Sequence, residues 1–401
     1  MLPLNWQRVR LGDMTTSFTK QTGFDYSAFI KPTLIKEYLP NYIPFIQNKD
    51  FLGHYINYKT DYFIPNEIAI RFPQILLNEK CLLISISGAI GNVAVFNHSQ
   101  DAFTGGAIAV LKFKEKKSLD FVMHFLMSAS GQKLLLNGVK SSSHKNLTIA
   151  DLRDLLIPLP PLNEQIAIAN ILSGLDRYLC ALDALILKKE SVKKSLSFEL
   201  LSQRKRLKGF NQAWQRVRLG DIGKPCMCKR VMKHQTTRYG EIPFYKIGTF
   251  GNTADAFISK KLFLEYRTKY SFPKKGDILI SASGTIGKAV IYDGKPAYFQ
   301  DSNIVWIDND ETLVKNDFLF YAYSNVKWNT EHTTILRLYN DNFRNTLIPL
   351  PPLNEQSAIA NVLSALDNEI ISLKNKKRQF ENIKKALNHD LMSAKIRVLE
   401  K

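Results

Sequence analysis

The sequence predicts an α+β protein: two similar mixed α/β domains at opposite ends of a long antiparallel two-helix coiled coil, related by a pseudo-twofold internal repeat. Three observations predict this fold. Distinctive stretches occur twice in the same order, each copy then reaches a proline-rich motif, and a heptad pattern follows each motif. The repeated stretches are WQRVRLGD at 6–13 and 214–221, SISGAIGNVAVF at 85–96 with SASGTIGKAVIY at 281–292, and IPLPPLNEQ at 157–165 and 348–356. A repeat of about 200 residues is too long for a solenoid, so each copy should be a domain-sized unit.

The two copies differ between the shared stretches. The offset between them falls from 208 to 196 to 191, so the first copy is longer by 12 residues before the glycine pair and by 5 after it. Residues 15–42 have little in common with residues 226–241. Either the copies fold alike and recognise different ligands, or surface loops have drifted after a duplication.

The composition indicates two basic globular units. The chain has 401 residues, 45% of them hydrophobic, which is enough for more than one core. Its net charge is +19, with 26 Lys and Arg against 17 Asp and Glu in residues 1–210 and 29 against 19 in residues 211–401. Because both copies are equally basic, DNA or RNA contacted at two places is the first candidate ligand. An acidic protein or a membrane surface is the alternative.

Targeting and redox signals favour a cytoplasmic protein. The N-terminus MLPLNWQRVR has no apolar run, and no stretch of 18 apolar residues could span a membrane. The four cysteines are Cys81, Cys180, Cys226 and Cys228, and the Cys226/Cys228 pair lacks a second pair or histidines at metal-site spacing. We therefore expect no metal and free thiols in a reducing compartment.

Each copy begins with strand patterns. Apolar runs at 81–86 and 277–281 end in a glycine turn and are followed by β-branched runs at 93–96 and 289–292, paired strands at 101–113 and 297–308, and helices at 120–136 and 317–328. The glycines of the turn are Gly88, Gly91, Gly284 and Gly287. Their spacing is that of the GXXG clamp of KH domains, but a KH loop joins two helices. A strand–turn–strand that needs positive φ explains them better.

The proline motif predicts the start of a long helix. Proline is excluded from helix interiors, whereas Asn163 and Asn354 are good N-caps, and Glu164 and Glu355 put negative charge at the positive end of a helix dipole. Apolar residues then alternate at spacings of four and three, which is the pattern of a coiled-coil seam. The predicted seam consists of Ile168, Leu172, Leu175, Leu179 and Leu182, and of Ile359, Leu363, Leu366, Ile370 and Leu373.

Helix length decides how the predicted domains are arranged. Each helix could reach 35–40 residues, roughly 55–60 Å, and the second copy begins only about ten residues after the first helix. The second domain should therefore sit at the far end of that helix, and the second helix should run back along it. Pairing between two molecules of a homodimer is the alternative. The predicted boundaries are 1–162 and 209–353 for the domains, and 163–208 and 354–401 for the helices.

Sequence signatures of enzymes are missing. We find no phosphate-binding G-x-x-x-x-G-K-[ST], no Asn/Asp-Pro-Pro-aromatic tetrad of an amino-methyltransferase, no nuclease carboxylate cluster and no metal-binding histidine spacing. The sequence therefore predicts no catalytic residue and favours binding. A methyltransferase or nuclease with embedded recognition domains, and an RNA-binding homodimer, are the competing interpretations.

Polar, basic segments are the candidates for DNA contact. KSSSHKN at 140–146 and TTILRLYN at 333–340 precede the proline motifs, and small hydroxyls beside cations suit phosphates and base edges. The copy-specific segments add further cations, although any single one could be a solvated surface charge. The candidates are Lys31, Lys36, Lys49, Lys140, Ser142, Ser143, His144, Lys145, Lys229, Arg230, Lys233, His234, Arg238, Thr333, Thr334 and Arg337.

These motifs closely resemble the specificity (S) subunit of type I restriction–modification systems. The resemblance rests on WQRVRLGD, on GDILISASGTIGKAVIY at 276–292, on the IPLPPLNEQ junction before a long helix, and on their duplication across essentially the whole chain. Copy one departs from the pattern, with Asn78-Glu79-Lys80 where copy two has a Gly-Asp, and Thr104-Gly105-Gly106 where copy two has Gln300-Asp301-Ser302.

The resemblance implies a function. Each domain would be a target recognition domain that reads one half of a bipartite site in double-stranded DNA, and the coiled coil would set the spacer and dock two methyltransferase (M) subunits. Those partners would hold S-adenosylmethionine and methylate adenine N6, and restriction/motor (R) subunits would join for cleavage. The chain itself would have no catalysis and no cofactor, and would work in a prokaryotic cytoplasm without a membrane partner.

Overall fold

The computed structural model describes residues 3, 5–21, 23–137, 146–332 and 336–398. The chain divides into two compact units. Unit 1 comprises residues 1–183 and 376–401, and unit 2 comprises residues 184–375. Both divisions fall inside long helices, so each unit contains one mixed α/β domain and part of each long helix.

Unit 1 contains two four-stranded sheets. Its main sheet is antiparallel, with the strand order Thr15–Lys20, Ile108–Phe113, Cys81–Ser85, Val93–Phe96. The second sheet has the order Phe63–Pro65, Tyr42–Ile46, Ala102–Thr104, Leu76–Leu77, and its two central strands are parallel. A hairpin is formed by Phe51–Leu52 and Tyr55–Ile56. The sequence predicted two paired strands at 101–113. Both strands exist, but the prediction that they pair is wrong, because Ala102–Thr104 and Ile108–Phe113 belong to different sheets.

Among its described residues, unit 1 has five short α-helices, of which Leu119–Met127 and Ile149–Arg153 contact the main sheet and Asn66–Ala69 contacts the second. They are Gly23–Asp25, Asn66–Ala69, Leu119–Met127, Ala129–Asn137 and Ile149–Arg153. The helix predicted at 120–136 is in fact two helices with a break at Ser128. The Ser128 hydroxyl donates to Phe125 O at 2.6 Å and accepts from Gly131 N at 3.1 Å, which ends one helix and caps the next.

Unit 2 repeats this plan with shorter connections. Its main sheet has the order Gly223–Met227, Ile304–Asn309, Ile278–Ser281, Ala289–Ile291, and its second sheet has Phe257–Ile258, Ile242–Tyr245, Tyr298–Phe299. Glu331–His332 and Leu336–Arg337 form a further pair. The helices are Leu219–Ile222, Lys260–Lys269, Asn316–Tyr323 and Asn340–Asn345. The parallel pair of strands recurs, since Ile242–Tyr245 lies parallel to Tyr298–Phe299.

The opening motif of each copy pairs with the proline motif of the same copy. Gln7–Arg10 is antiparallel to Leu156–Leu159, and Gln215–Arg218 is antiparallel to Leu347–Leu350. Proline is tolerated because each pair is an isolated two-stranded ribbon, in which every strand is an edge. The proline motif is therefore a strand as well as a helix boundary, and this pairing closes each domain.

The two long helices start slightly earlier than predicted. They are Leu162–Leu201 and Leu353–Met392, each of 40 residues. Asn163 and Asn354 are consequently the second residues of the helices, and the prediction that they are N-caps is wrong. The glutamines of the motif instead link the first turn of each helix to the proline segment before it. Gln165 Nε2 donates to Pro160 O at 2.7 Å, and Gln356 Nε2 donates to Pro351 O at 2.8 Å.

Within each unit the two helix halves pack antiparallel. In unit 1 the Tyr178 and Phe380 rings are 4.6 Å apart, and Lys377 Nζ lies 2.6 Å from Asp183 Oδ1. In unit 2 the pairs Lys189–Glu369, at 2.8 Å, and Lys374–Glu190, at 2.6 Å, bridge the helices. All ten predicted seam residues are buried or half-buried. The helices therefore pair within one molecule, which removes the need for the homodimer alternative.

Candidate nucleic-acid interface

The glycine turns are built as the strand–turn–strand interpretation predicts. Gly88, Gly91, Gly284 and Gly287 have φ values of 75°, 89°, 65° and 81°, in the left-handed region. A serine at the end of the preceding strand fastens each turn. The Ser85 hydroxyl accepts from Asn92 N and donates to Ala89 O, and the Ser281 hydroxyl accepts from Lys288 N and donates to Thr285 O. The glycines are scaffold, and they fix where the residues beside them lie.

In unit 2, three separate segments meet beside this turn. The Ser283 hydroxyl donates to Asn303 Oδ1 at 2.8 Å. The Ser283 backbone also forms an antiparallel bridge with Arg337, and Leu338 N donates to Ala282 O at 2.9 Å. The basic segment singled out at 333–340 thus reaches the main sheet next to the glycine turn, through its described residues.

The copy-specific segment of unit 2 reaches the same place. Arg230 Nε lies 2.8 Å from Asp301 Oδ2, in the loop that ends at Asn303. The Arg230 side chain is 67% exposed, whereas Asp301 is 17% exposed. The buried Tyr298 hydroxyl donates to Lys229 O at 3.0 Å, and Lys229 Nζ lies 5.1 Å from the centre of the Tyr270 ring. The backbone at residues 229–230 is therefore held in place, and the side chains of Lys229 and Arg230 are exposed to solvent.

Unit 1 builds an equivalent meeting point with different side chains. Ser87 bridges Asn146, as Ser283 bridges Arg337 in unit 2. Asn48 Nδ2 donates to Ser87 O at 2.6 Å. The neighbouring Lys49 pairs with Asp61, and this hydrogen bond raises the pKa of the Lys49 side chain. Copy-specific and shared segments therefore converge here as well.

Two cavities flank residues 105–107 of unit 1. One of about 650 Å³ is lined by Lys20, Gln21, Tyr26, Ser87 and Asn146, among others. The other, of about 340 Å³, is lined by Tyr26, Gln47, Asn48 and Lys49, among others. Tyr26, Gly106 and Ala107 line both cavities, so the two cavities are adjacent. This double cavity is called the unit 1 cleft.

The predicted contact residues fall into three groups. Lys49, Lys229, Arg230 and Arg337 lie at the meeting points. A second group is exposed: Lys31, Lys36, Lys233, His234 and Arg238. Within the described part of the chain, none of these five lines the unit 1 cleft or contacts the Asp301–Asn303 loop of unit 2. The remaining candidates lie outside the described residues: Lys140, Ser142, Ser143, His144, Lys145, Thr333 and Thr334.

Sequence reasoning missed several polar residues at these points. They are Gln21, Asn48, Ser87, Ser283, Asp301 and Asn303, all at or beside strand ends. A signal existed for two of them, because Ser87 and Ser283 precede the first glycine of the turn in both copies. The others belong to segments that differ between copies, and only the fold brings them together.

The groups needed for metal chemistry do not gather in the described residues. No cluster of three or more His, Cys, Asp or Glu side chains there could hold a metal ion. The thiols of Cys81 and Cys228 are buried, and burial raises the pKa of each to about 12. Among the helices of these residues, none combines the length and apolar character that crossing a bilayer requires.

Comparison with known proteins identifies the family. The model of the type I restriction modification DNA specificity domain matches residues 3–190 and again 211–382. A Haemophilus influenzae protein assigned as a type I restriction enzyme specificity subunit is 42% identical over 293 residues, 71% of each chain. The type I restriction enzyme MjaVIII specificity subunit of Methanocaldococcus jannaschii is 25% identical over 99% of this chain and 94% of its own.

Solved structures agree at the level of the fold. The type I restriction–modification S subunit from M. genitalium superposes with a TM-score of 0.62 at 17% identity, covering 97% of this chain and 98% of that one. A chain from a study of complex assembly and conformational transition in the type I system gives 0.57 at 18% identity, covering 98% of each. The chain belongs to the family of type I restriction–modification specificity subunits, whose role is DNA recognition.

Proposed function

We propose that this chain is the non-catalytic DNA-reading subunit of a type I restriction–modification complex in a prokaryotic cytoplasm. Each unit reads one half of a bipartite site in double-stranded DNA. One observation carries the proposal: the two units have the same backbone scaffold around the glycine turn but different side chains on it. The loop at 105–107 of unit 1 contains Gly105 and Gly106, whereas the corresponding loop at 300–303 of unit 2 contains Asp301 and Ser302. Equal scaffolds with unequal side chains suit two different half-sites.

Charge supports nucleic acid as the ligand. Exposed cations at the meeting point of unit 2 include Lys229 and Arg230, and the chain carries a net charge of +19. Phosphate contacts supply binding that depends on salt and not on sequence, and a few side chains at base edges then discriminate. Binding to random duplex should therefore weaken steeply with salt, while discrimination between sites should reside in the copy-specific residues.

Partners complete the proposed activity. Two methyltransferase subunits dock on the paired helices and hold the S-adenosylmethionine that supplies the methyl group for adenine N6, and restriction/motor subunits join for cleavage. The helix pair sets the spacer between half-sites. The ion pairs that bridge the helices, such as Lys189–Glu369, suit a rigid spacer because they fix the register of one helix on the other.

Mapping N6-methyladenine across the genome of the source cell, with and without this gene, tests the proposal. We expect a split motif that disappears on deletion. An unchanged methylation map in a cell that expresses the chain and methyltransferase partners would contradict it. Exchanging residues 14–75 for those of a relative should change one half-site only, and a change in both would refute independent reading. Inserting one heptad into each helix should lengthen the spacer or abolish methylation, whereas an unaltered spacer would exclude the helices as a ruler.

A further inference from the structure

The unit 1 cleft contains a polar side chain that has no hydrogen-bond partner in the described part of the chain. Gln21 is 3% exposed, and neither its Nε2 nor its Oε1 has a hydrogen-bond partner among the described residues. It lines the larger cavity of the cleft. Burial of a carboxamide without hydrogen bonds is unfavourable, so such groups are uncommon in folded proteins. A ligand that bonds to this amide would remove that penalty.

The repeat shows that the fold does not require an amide here. Lys20 pairs with Ala109 in unit 1, and Met227 pairs with Val305 at the equivalent place in unit 2. The next residue, Gln21 in unit 1, therefore corresponds to Cys228 in unit 2. Cys228 is 2% exposed, and burial raises the pKa of its thiol to about 12. A small neutral side chain fills this position in unit 2, so Gln21 is a property of unit 1 alone.

The loop that faces Gln21, residues 105–107, has almost no side chains in unit 1. The loop at 105–107 of unit 1 consists of Gly105, Gly106 and Ala107, whereas the corresponding loop at 300–303 of unit 2 includes Asp301, Ser302 and Asn303. In unit 2 the loop side chains are engaged, Asp301 by Arg230 and Asn303 by Ser283. In unit 1 the loop is nearly bare, and a Cβ on Gly106 would lie 3.5 Å from Gln21 Oε1. The loop therefore places no side chain larger than a methyl group against the amide.

A second free acceptor lies on the other side of the same loop. Asn48 Nδ2 is used by Ser87 O, but Asn48 Oδ1 is buried and has no partner in the described part of the chain. Asn48 lines the smaller cavity of the cleft. Exposed cations flank the two cavities, with Lys20 at the larger and Lys49 at the smaller. Free amide groups inside and cations outside match a base edge beside its phosphates.

We propose that Gln21 is a specificity-determining residue of unit 1, and that its free carboxamide reads an adenine in the half-site of this unit. The inference rests on the proposed function. A glutamine can donate to adenine N7 and accept from adenine N6 with one planar amide, which is a bidentate contact. The Gln21 side chain breaks no hydrogen bond to a described residue when it makes this contact, because it has none to them. Unit 2, with Cys228 at this position, reads its half-site by other side chains.

The test uses the full chain assembled with its methyltransferase subunits, S-adenosylmethionine and a randomised duplex library, and the methylated sequences are read out. Gln21→Met keeps length and volume but removes both hydrogen-bonding atoms. We expect it to reduce preference for one adenine in one half-site by roughly tenfold or more, which is the discrimination of a bidentate contact. The other half-site should not change. Lys20→Met, which installs the residue found at the equivalent Met227, is the matched control and should weaken binding without altering the motif.

Gln21→Glu is the second variant, chosen because it keeps the shape and changes the bonding. A carboxylate accepts from cytosine N4 and cannot donate to adenine N7, so we expect the preferred base to move from adenine towards cytosine. If both variants fold, as judged by thermal unfolding, and return the wild-type motif, Gln21 is only an unpaired core amide and the inference is overturned. If the wild-type assembly yields no split motif, the proposed function fails and this inference fails with it.

Discussion

Arg206 binds the carboxylate of Glu355 in a bidentate ion pair, with Nε 3.1 Å from Oε1 and Nη2 2.6 Å from Oε2. The same pair occurs in unit 1, where Arg397 binds Glu164 at 2.6 and 2.8 Å. Arg397 lies 191 positions after Arg206, and Glu164 lies 191 positions before Glu355. In each case the glutamate of a proline motif is held by an arginine that follows the other long helix. The motif glutamates therefore tie the start of one helix to the end of the other, within one unit each time.

The first prediction concerns Glu355→Gln. Glu355 is 1% exposed, so the variant leaves the Arg206 guanidinium facing a neutral amide in a largely buried place. We expect the free energy of unfolding to fall by about 2–3 kcal/mol, below the range for fully buried pairs because Arg206 is about a quarter exposed. Urea unfolding followed by tryptophan fluorescence measures it. Glu369→Gln, which breaks the exposed pair with Lys189, is the control and should cost under about 0.5 kcal/mol; equal losses would contradict the argument.

The second prediction compares two tryptophans at matching positions. Trp214 Nε1 donates to Glu355 Oε2 at 2.9 Å. The indole nitrogen of Trp6, its counterpart in the opening motif of unit 1, is buried without a partner among the described residues. Trp214→Phe should therefore lower the free energy of unfolding by about 1–2 kcal/mol more than Trp6→Phe, because it alone loses a hydrogen bond to a charged group. The same urea titrations decide, and a larger loss in Trp6→Phe would show that packing outweighs this bond.

The sequence predicted much of the scaffold, and the reason is physical. The turn glycines and the helix seam depend on local rules, namely positive φ and a spacing of 3.5 residues, which are visible in any window of the chain. The role of Glu164 was predicted only in part. Its charge suits a helix start, but its partner Arg397 lies 233 positions later, and no local pattern encodes that contact.

The candidate site was harder to predict than the scaffold. The sequence pointed to cations, and Lys49, Arg230 and Arg337 do lie at the meeting points. It did not point to Gln21 or Asn48, because a neutral amide becomes notable only when burial leaves it without a partner. Such a state depends on the whole fold. The cap prediction failed at Asn163 by one residue, because the helix can begin directly after proline.

The third prediction concerns the turn glycines. A Cβ on Gly287 would lie 2.1 Å from Trp328 Nε1, whereas the nearest atom to a Cβ on Gly91 would be Gln132 Oε1, at 3.2 Å. Both have positive φ, so alanine at either costs about 1–2 kcal/mol of backbone strain. Gly287→Ala should cost clearly more than Gly91→Ala because Trp328 must also move. In the double variant Gly287→Ala/Trp328→Ala the two costs should be less than additive in thermal unfolding, and strict additivity would exclude the clash.

The fourth prediction concerns pH. His124 is buried and its Nε2 lies 2.9 Å from Ser173 Oγ. Burial, with smaller contributions from His54 and Lys384, lowers the pKa of His124 from 6.5 to about 3. Because the unfolded chain binds the proton first, this histidine stabilises the fold fully above pH 6.5 and progressively less as the pH falls towards 3.

The variant His124→Gln tests this pH dependence, since glutamine can keep a hydrogen bond to Ser173 but does not titrate. Between pH 6.5 and 5 we expect the wild type to lose up to about 1.4 kcal/mol per pH unit more than the variant. The measurement is the free energy of unfolding in urea at several pH values. Parallel curves for the two proteins would show that His124 is protonated in the folded state or is already accessible to water.

The last prediction separates a phosphate contact from background charge in unit 2. Arg230 is 67% exposed and is held in place by Asp301, so it presents a positioned cation beside the glycine turn. Arg230→Ala should weaken binding of random duplex DNA and reduce the slope of log affinity against log salt by about 1, the value for one lost phosphate contact.

Lys269, an exposed cation paired with Glu265 on its own helix, supplies the control variant Lys269→Ala, which should leave the slope unchanged. Asp301→Asn should not weaken binding at low salt, because it frees the guanidinium without removing it. Fluorescence anisotropy over a salt series measures all three, and equal slopes for Arg230→Ala and Lys269→Ala would mean that duplex DNA does not contact this face.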